Sequence, residues 1–124
     1  MPLKASRDVV QVRQAVAKEL KSRGVSTLRI TRFATAVSEI ARNAIVHGGG
    51  GEAILYSDRA AGLLLLECRD WGPGIADLAQ ALTDGYSSGS GLGRGLGGAK
   101  RLSDAFEIEP GPDRGCVVRM SIKV

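Results

Sequence analysis

The chain has 124 residues and a formal net charge of +4, from 17 basic and 13 acidic side chains, enough for one domain and too few for two. Hydrophobic residues make up 44% and charged residues 24%, which is ordinary globular usage, and with aromatics at only 4% the core has to be aliphatic. The basic residues are scattered without aromatic interleaving, which sets nucleic acid aside as a partner. Cys68 and Cys116 form no CxxC pair, which sets aside zinc and a disulfide scaffold and leaves two reduced, buried thiols.

In chain order, "MPLKASRDVV" is charged where a signal peptide needs an apolar core. Ser6 is predicted to cap a first helix, with Val9, Val12, Val16 and Leu20 at helical spacing and Gly24 at its end. Ser26 is predicted to cap a longer second helix. Its apolar stripe is Phe33, Val37, Ile40, Ala41, Ala44 and Ile45, and "HGGGG" (47–51) stops it. "AILYSD" reads as a strand, "RAAG" as a turn, and "LLLLECRD" as a second strand buried on both faces. The longest run of Ala, Leu and Gly, residues 60–66, is far shorter than a membrane span, so the expected setting is cytoplasmic, with no membrane partner.

"DWGPG" is predicted to turn, and Asp77 to cap a short helix reaching about Leu82. A glycine-rich loop follows, and "GGAKRLSDAF" reads as a helix starting near Gly95. Phe106–Glu109 and Cys116–Val124 close the chain as a hairpin around "PGPDRG". The predicted fold class is α+β, one domain over residues 1–124: a two-layer sandwich with a mostly antiparallel sheet and helices on one face.

Three stretches carry chemistry. Between Gly85 and Lys100, seven of sixteen residues are glycine. A Walker loop is excluded, because Ala99 and Lys100 stand where Lys and Ser/Thr are required. A Rossmann loop is excluded because no strand precedes Gly93-Arg94-Gly95-Leu96-Gly97-Gly98. Glycines leading into a helix start, with Leu92 and Leu96 as anchors, still offer open N–H groups to phosphate. In "EIARN", Glu39 and Asn43 stand at i and i+4 on one helix face, a spacing that serves a hydrated Mg²⁺ and a proton acceptor, or simply a solvated face. In "DWGPG", Asp70 at a strand end precedes a glycine turn, where a carboxylate can accept from a flat ligand edge; a plain tight turn fits as well.

The ordered set E-x-x-x-N, D-x-G-x-G, G-x-G-x-G-L resembles the GHKL superfamily of ATP-binding domains (the Bergerat fold), which includes DNA gyrase, the MutL repair proteins and histidine kinases. The details, "SEIARNAI", "DWGPGI", "DGYSSGSGLGRGL" and "GAKRLSDAF", are most similar to the RsbT-like serine/threonine kinases of bacterial stress signalling. The resemblance implies that Glu39 is the general base and Asn43 the Mg²⁺ ligand at the ATP phosphates. It implies that Asp70 reads the adenine amino group, with Gly72, Gly74 and Ile75 forming the turn beside the base. Gly91, Leu92, Gly93, Arg94, Gly95 and Leu96 would be the glycine box at the phosphates, and residues 84–90 a short lid. Where relatives carry a Gly-Thr pair before the last strand, this chain has Gly115-Cys116.

The activity so implied is an ATP- and Mg²⁺-dependent protein serine/threonine kinase of a stressosome-type partner-switching module. It would phosphorylate a STAS-domain antagonist or scaffold protein and then bind a downstream activator, such as a phosphatase. The alternative is an anti-sigma factor or ATP-holding module that acts by docking. His47, Trp71 and Lys100 lie near these motifs without an assigned role.

Overall fold

The computed structural model describes residues 1–72, 96–110 and 115–124. Eight elements follow one another: β1 (Pro2–Leu3), α1 (Ser6–Ser22), α2 (Thr27–Val46), β2 (Gly51–Asp58), β3 (Leu63–Asp70), α3 (Leu96–Arg101), β4 (Ala105–Pro110) and β5 (Cys116–Lys123). The strands form one antiparallel sheet in the order β1-β2-β3-β5-β4, with the helices laid on one face. This is the predicted α+β sandwich. The predicted Asp77 helix and the tip of the last hairpin lie outside the described residues. Among the described residues no helix is long and apolar enough to cross a membrane.

Helix α1 starts by a different device from the predicted one. Ala5 is the N-cap and Ser6 the first helical residue. The Asp8 carboxylate reaches back to accept from the backbone N–H of Lys4 at 2.8 Å and of Ala5 at 3.0 Å. A carboxylate at the third helical position satisfies N–H groups at the entry and meets the positive end of the helix dipole. Helix α2 does start at its predicted cap, where Ser26 Oγ accepts from Arg29 N.

The apolar stripes explain the layering. Val9, Val12, Val16 and Leu20 of α1 and Phe33, Val37, Ile40, Ala41 and Ala44 of α2 are all buried, sharing one core with Leu64, Leu66, Met120 and Ile122 of the sheet. Burial of this aliphatic and single-ring surface is the main stabilising term. Strand β3 runs through the sheet centre between β2 and β5. The strand was expected to be buried on both faces, and burial is complete on the helix side but partial on the other. Leu64, Leu66 and Cys68 face the helices, whereas Leu63 and Leu65 are half-buried on the other side. There the buried Glu67, 5% exposed, accepts from Arg119 Nε at 2.8 Å and Arg69 Nε at 2.9 Å. A buried carboxylate is tolerated only with such partners. The two cysteines are free and buried, as expected. Burial pushes the Cys68 thiol up to about 12, with Glu67 and Asp70 adding to the rise, so it stays protonated and unreactive.

The backbone bonds that Asp8 accepts hold its carboxyl below the ordinary value of 3.8. A depressed carboxyl stabilises the fold at pH above its unfolded value, and that stability is lost as pH falls through the folded value. Asp8→Asn should therefore lower Tm at neutral pH, and the gap to wild type should close in acid below 3.8. Ser6→Ala should leave Tm unchanged. Thermal melts followed by circular dichroism across this range check both.

Candidate functional site

The site is built where the end of α2 meets the end of β3. Helix α2 carries Glu39 and Asn43 one turn apart, so both face one side. Glu39 Oε1 accepts from Arg42 Nη1 at 3.2 Å, and its side chain is 43% exposed. Asn43 is half-buried, and its backbone carbonyl accepts from the N–H of His47 at 2.9 Å and Gly48 at 3.2 Å. His47 is thus the C-cap of α2, and the chain leaves the helix through Gly48.

Gly48 lies directly against Asp70. A Cβ built on it would stand 2.4 Å from Asp70 Cβ and 2.6 Å from Asp70 Cγ, closer than any side chain permits. On another side Gly115, with φ +85°, would place a Cβ 2.1 Å from the Asp70 carbonyl oxygen and 3.2 Å from Oδ1. Both the close approach and the positive φ require glycine there. Asp70 Oδ1 accepts from Gly72 N at 3.0 Å, which folds the "DWG" turn back on the carboxylate. Trp71 N donates to Gly50 O at 3.2 Å, and the indole is 56% exposed beside the turn. Backbone from three parts of the chain thus lies directly against Asp70: Gly48 and Gly115 by close packing and Gly72 by its N–H.

Of the residues singled out in the sequence, Asp70 and Gly72 lie at this α2–β3 junction, Asn43 one turn before the end of α2, and Glu39 one turn earlier on the same helix. Leu96 opens α3, near the predicted helix start, and Ala99 of α3 is buried in the common core. Gly74, Ile75, Gly91, Leu92, Gly93, Arg94 and Gly95, with the expected lid, lie outside the described residues. Three residues were missed. Gly48 sits in a glycine run that reads in sequence only as a helix stop, and Gly115 reads as half of a substituted pair. Arg42 had a visible signal, since E-x-x-R at i and i+3 is an ion-pair spacing.

The donor set suits a hard cation and an amine-bearing ring. Asn43 and Glu39 offer oxygen ligands of the kind Mg²⁺ takes, and Asp70 offers a fixed acceptor. Among the described residues no group of three or more His, Cys, Asp or Glu gathers to hold a metal by itself. A Mg²⁺ here would share Asn43 with phosphate oxygens and water, the usual arrangement for this ion.

Comparisons with known proteins give the chain's relatives. Residues 2–122 match the family model described as histidine kinase-like ATPase domain. The chain is 39% identical over 103 residues to a serine/threonine-protein kinase, RsbT, of Bacillus subtilis, covering 82% of this chain and 77% of the relative. It is 29% identical over 136 aligned positions to an anti-sigma F factor of Clostridium novyi, covering 98% of this chain and 90% of the relative.

The glycine packing has a direct consequence for stability. Gly48→Ala drives a methyl group into Asp70, and relief of that overlap should cost about 1–3 kcal/mol. Gly98→Ala is the control: among the described residues nothing lies within 4 Å of its Cβ position in α3, so gain of helix propensity should stabilise by about 0.5–1 kcal/mol. Urea unfolding of both variants gives opposite signs if the junction is packed as described.

Proposed function

The chain belongs to the histidine kinase-like ATPase domain family, and from that premise we propose that it is a protein serine/threonine kinase, with ATP as donor and Mg²⁺ as cofactor, in a partner-switching module. The observation that carries this reading is the α2–β3 junction. A carboxylate and an amide stand one turn apart on α2, and the same helix ends against a glycine-caged aspartate. The similarity to a relative named a serine/threonine-protein kinase supports transfer to a protein hydroxyl.

In this mechanism Asp70 accepts a hydrogen bond from the adenine amino group and thereby fixes which end of the nucleotide enters the cage. Gly72 keeps the backbone out of the ring plane. Asn43 would hold Mg²⁺, which when bound would supply charge neutralisation at the phosphates. Glu39 would take the proton of the acceptor hydroxyl as the hydroxyl oxygen bonds to the γ-phosphorus. The bond from that phosphorus to the β–γ bridging oxygen breaks, and ADP leaves. Arg42 keeps the Glu39 carboxylate in place from the neighbouring turn. Gly91, Leu92, Gly93, Arg94, Gly95 and Leu96 are proposed to line the phosphates, and Gly74 and Ile75 the base. Phosphoryl transfer asks for positioning and charge neutralisation more than for covalent chemistry, which fits so sparse a site.

The proposed acceptor is a STAS-domain antagonist or scaffold protein, whose phosphorylation frees the kinase to engage a downstream phosphatase or sigma-factor regulator. A second reading is favoured by the likeness to an anti-sigma F factor: docking to a partner is the output, and ATP is held to shape the surface.

Calorimetry and radiolabel transfer test these roles together. Wild type should bind ATP in a Mg²⁺-dependent way, and Asp70→Asn should raise Kd about tenfold or more, through loss of a charge-assisted hydrogen bond. Glu39→Gln should keep its ATP affinity while γ-phosphate transfer to a STAS-domain protein slows about 10²–10⁴-fold. Undiminished transfer by Glu39→Gln removes it as the base. No transfer by wild type, with partner binding intact, leaves the docking reading.

A further inference from the structure

Helix α2 ends at the α2–β3 junction, and a hollow of about 210 Å³ lies at its other end. Arg29 and Arg32 reach the hollow from the early turns of α2, and Arg101, the last residue of α3, reaches it from the other side. Leu102, Asp104 and Ile122 also line it. Eleven residues of α2 separate Arg32 from Asn43, about 16 Å of helix at a rise of about 1.5 Å per residue. The hollow is therefore distinct from the junction that holds Asp70.

Its lining sets three guanidinium groups against one carboxylate, an excess of two positive charges. The carboxylate is already engaged: Asp104 Oδ2 accepts from Lys123 N at 2.7 Å and from Arg29 Nη2 at 3.5 Å. Arg29 also donates to the Lys123 carbonyl at 2.5 Å, so the end of β5 holds its guanidinium in place. Arg32 is exposed and has no ion-pair or hydrogen-bond partner among the described residues. Like charges one turn apart on a helix repel, and an anion shared between them turns that cost into attraction. A carboxylate ligand answers one charge. A phosphate monoester carries close to two at neutral pH, and its three free oxygens match guanidinium N–H groups. Leu102 and Ile122 offer apolar surface to the carbon beyond the ester oxygen.

We propose that this hollow binds a phosphate monoester. The phosphate bridges Arg29 and Arg32 of α2 to Arg101 of α3, and the ligand ties the two helices together at the end remote from the junction. The proposal is independent of the kinase reading. Two sources share the chemistry, a small phosphorylated metabolite and a phosphorylated serine on another chain, and the experiment separates them.

The test uses the full chain and three probes: ribose 5-phosphate, a capped phosphoserine tripeptide, and the same tripeptide without phosphate. NMR titration should show saturable shifts of backbone amides in residues 29–32 and 101–104 with the phosphorylated probes and none with the third. The phosphorylated probes should also raise Tm, since they bind the folded chain. Arg32→Glu should weaken binding about tenfold or more through loss of a charge-assisted contact. Arg32→Lys should weaken it less, because it keeps the charge without the fork. Both variants should melt as wild type does in the absence of probe. Arg7→Glu makes the same charge change at an exposed position on α1 and should leave binding nearly unchanged. Equal binding by wild type and Arg32→Glu overturns the proposal. So does an equal loss in Arg32→Glu and Arg7→Glu, the mark of net charge alone. Shifts confined to amides around Asn43 and Asp70 place the probes in the nucleotide site and overturn it as well. Tighter binding of ribose 5-phosphate than of the phosphopeptide identifies a small effector, and the reverse order identifies a phosphorylated chain; either order, with dependence on Arg32, supports the site.

Discussion

Gly48 and Asp70 are far apart in sequence, and the junction between α2 and β3 depends on their contact. A methyl group on Gly48 would stand 2.4 Å from Asp70 Cβ, so the helix exit and the strand end are locked at backbone distance. Gly115 approaches the same aspartate from the start of β5. Backbone contacts of this kind tolerate almost no substitution, and they convert a mobile carboxylate into one with a fixed direction. That is the requirement for a group meant to read one edge of a ligand, since a preorganised acceptor loses little entropy on binding.

The remainder of the fold serves this junction. Helix α2 reaches it because Ser26 starts the helix and the apolar stripe from Phe33 to Ala44 pins it to the sheet. Strand β3 reaches it because β2 pairs it along its whole length and β5 from Leu63 to Arg69. The open face of the sheet has its own polar centre, with Glu67 between Arg69 and Arg119, and Arg119 bonded onward to Glu109 at 2.7 Å. Acids and bases on that face largely satisfy each other. On the helical face, Arg23, Arg29 and Arg42 are ion-paired, while Arg13 has no such partner among the described residues.

Much of the fold was legible in the residues. Helical spacing of Val9, Val12, Val16 and Leu20, and of Phe33, Val37, Ile40 and Ala44, marked the buried faces, because burial against one layer imposes the 3.6-residue period. The hairpins were marked by "RAAG" and by the run after Glu109. The start of α1 was misread, since two side chains could cap it and their choice depends on backbone angles at Ala5. The strand "LLLLECRD" was legible, but a sequence period does not show that Arg119, on a distant strand, pairs with the buried Glu67. In the candidate site, Glu39, Asn43, Asp70 and Gly72 were legible as residue types at a definite spacing, Glu39 and Asn43 on α2 and Asp70 and Gly72 at the end of β3.

The sequence by itself determined the α+β class, the buried faces of both long helices, the α2 cap and the order of the motifs. These follow from local chemistry: side-chain periodicity, capping groups and turn residues act within a few positions along the chain. Only the tertiary structure decided that Gly48 and Gly115 enclose Asp70, that Glu67 is buried among arginines, and that Arg29 and Arg32 of one helix share a hollow with Arg101 of another. Each of these is a contact between segments remote in sequence. Its existence depends on how the layers stack, and the residue types at either end carry no record of the partner they will meet.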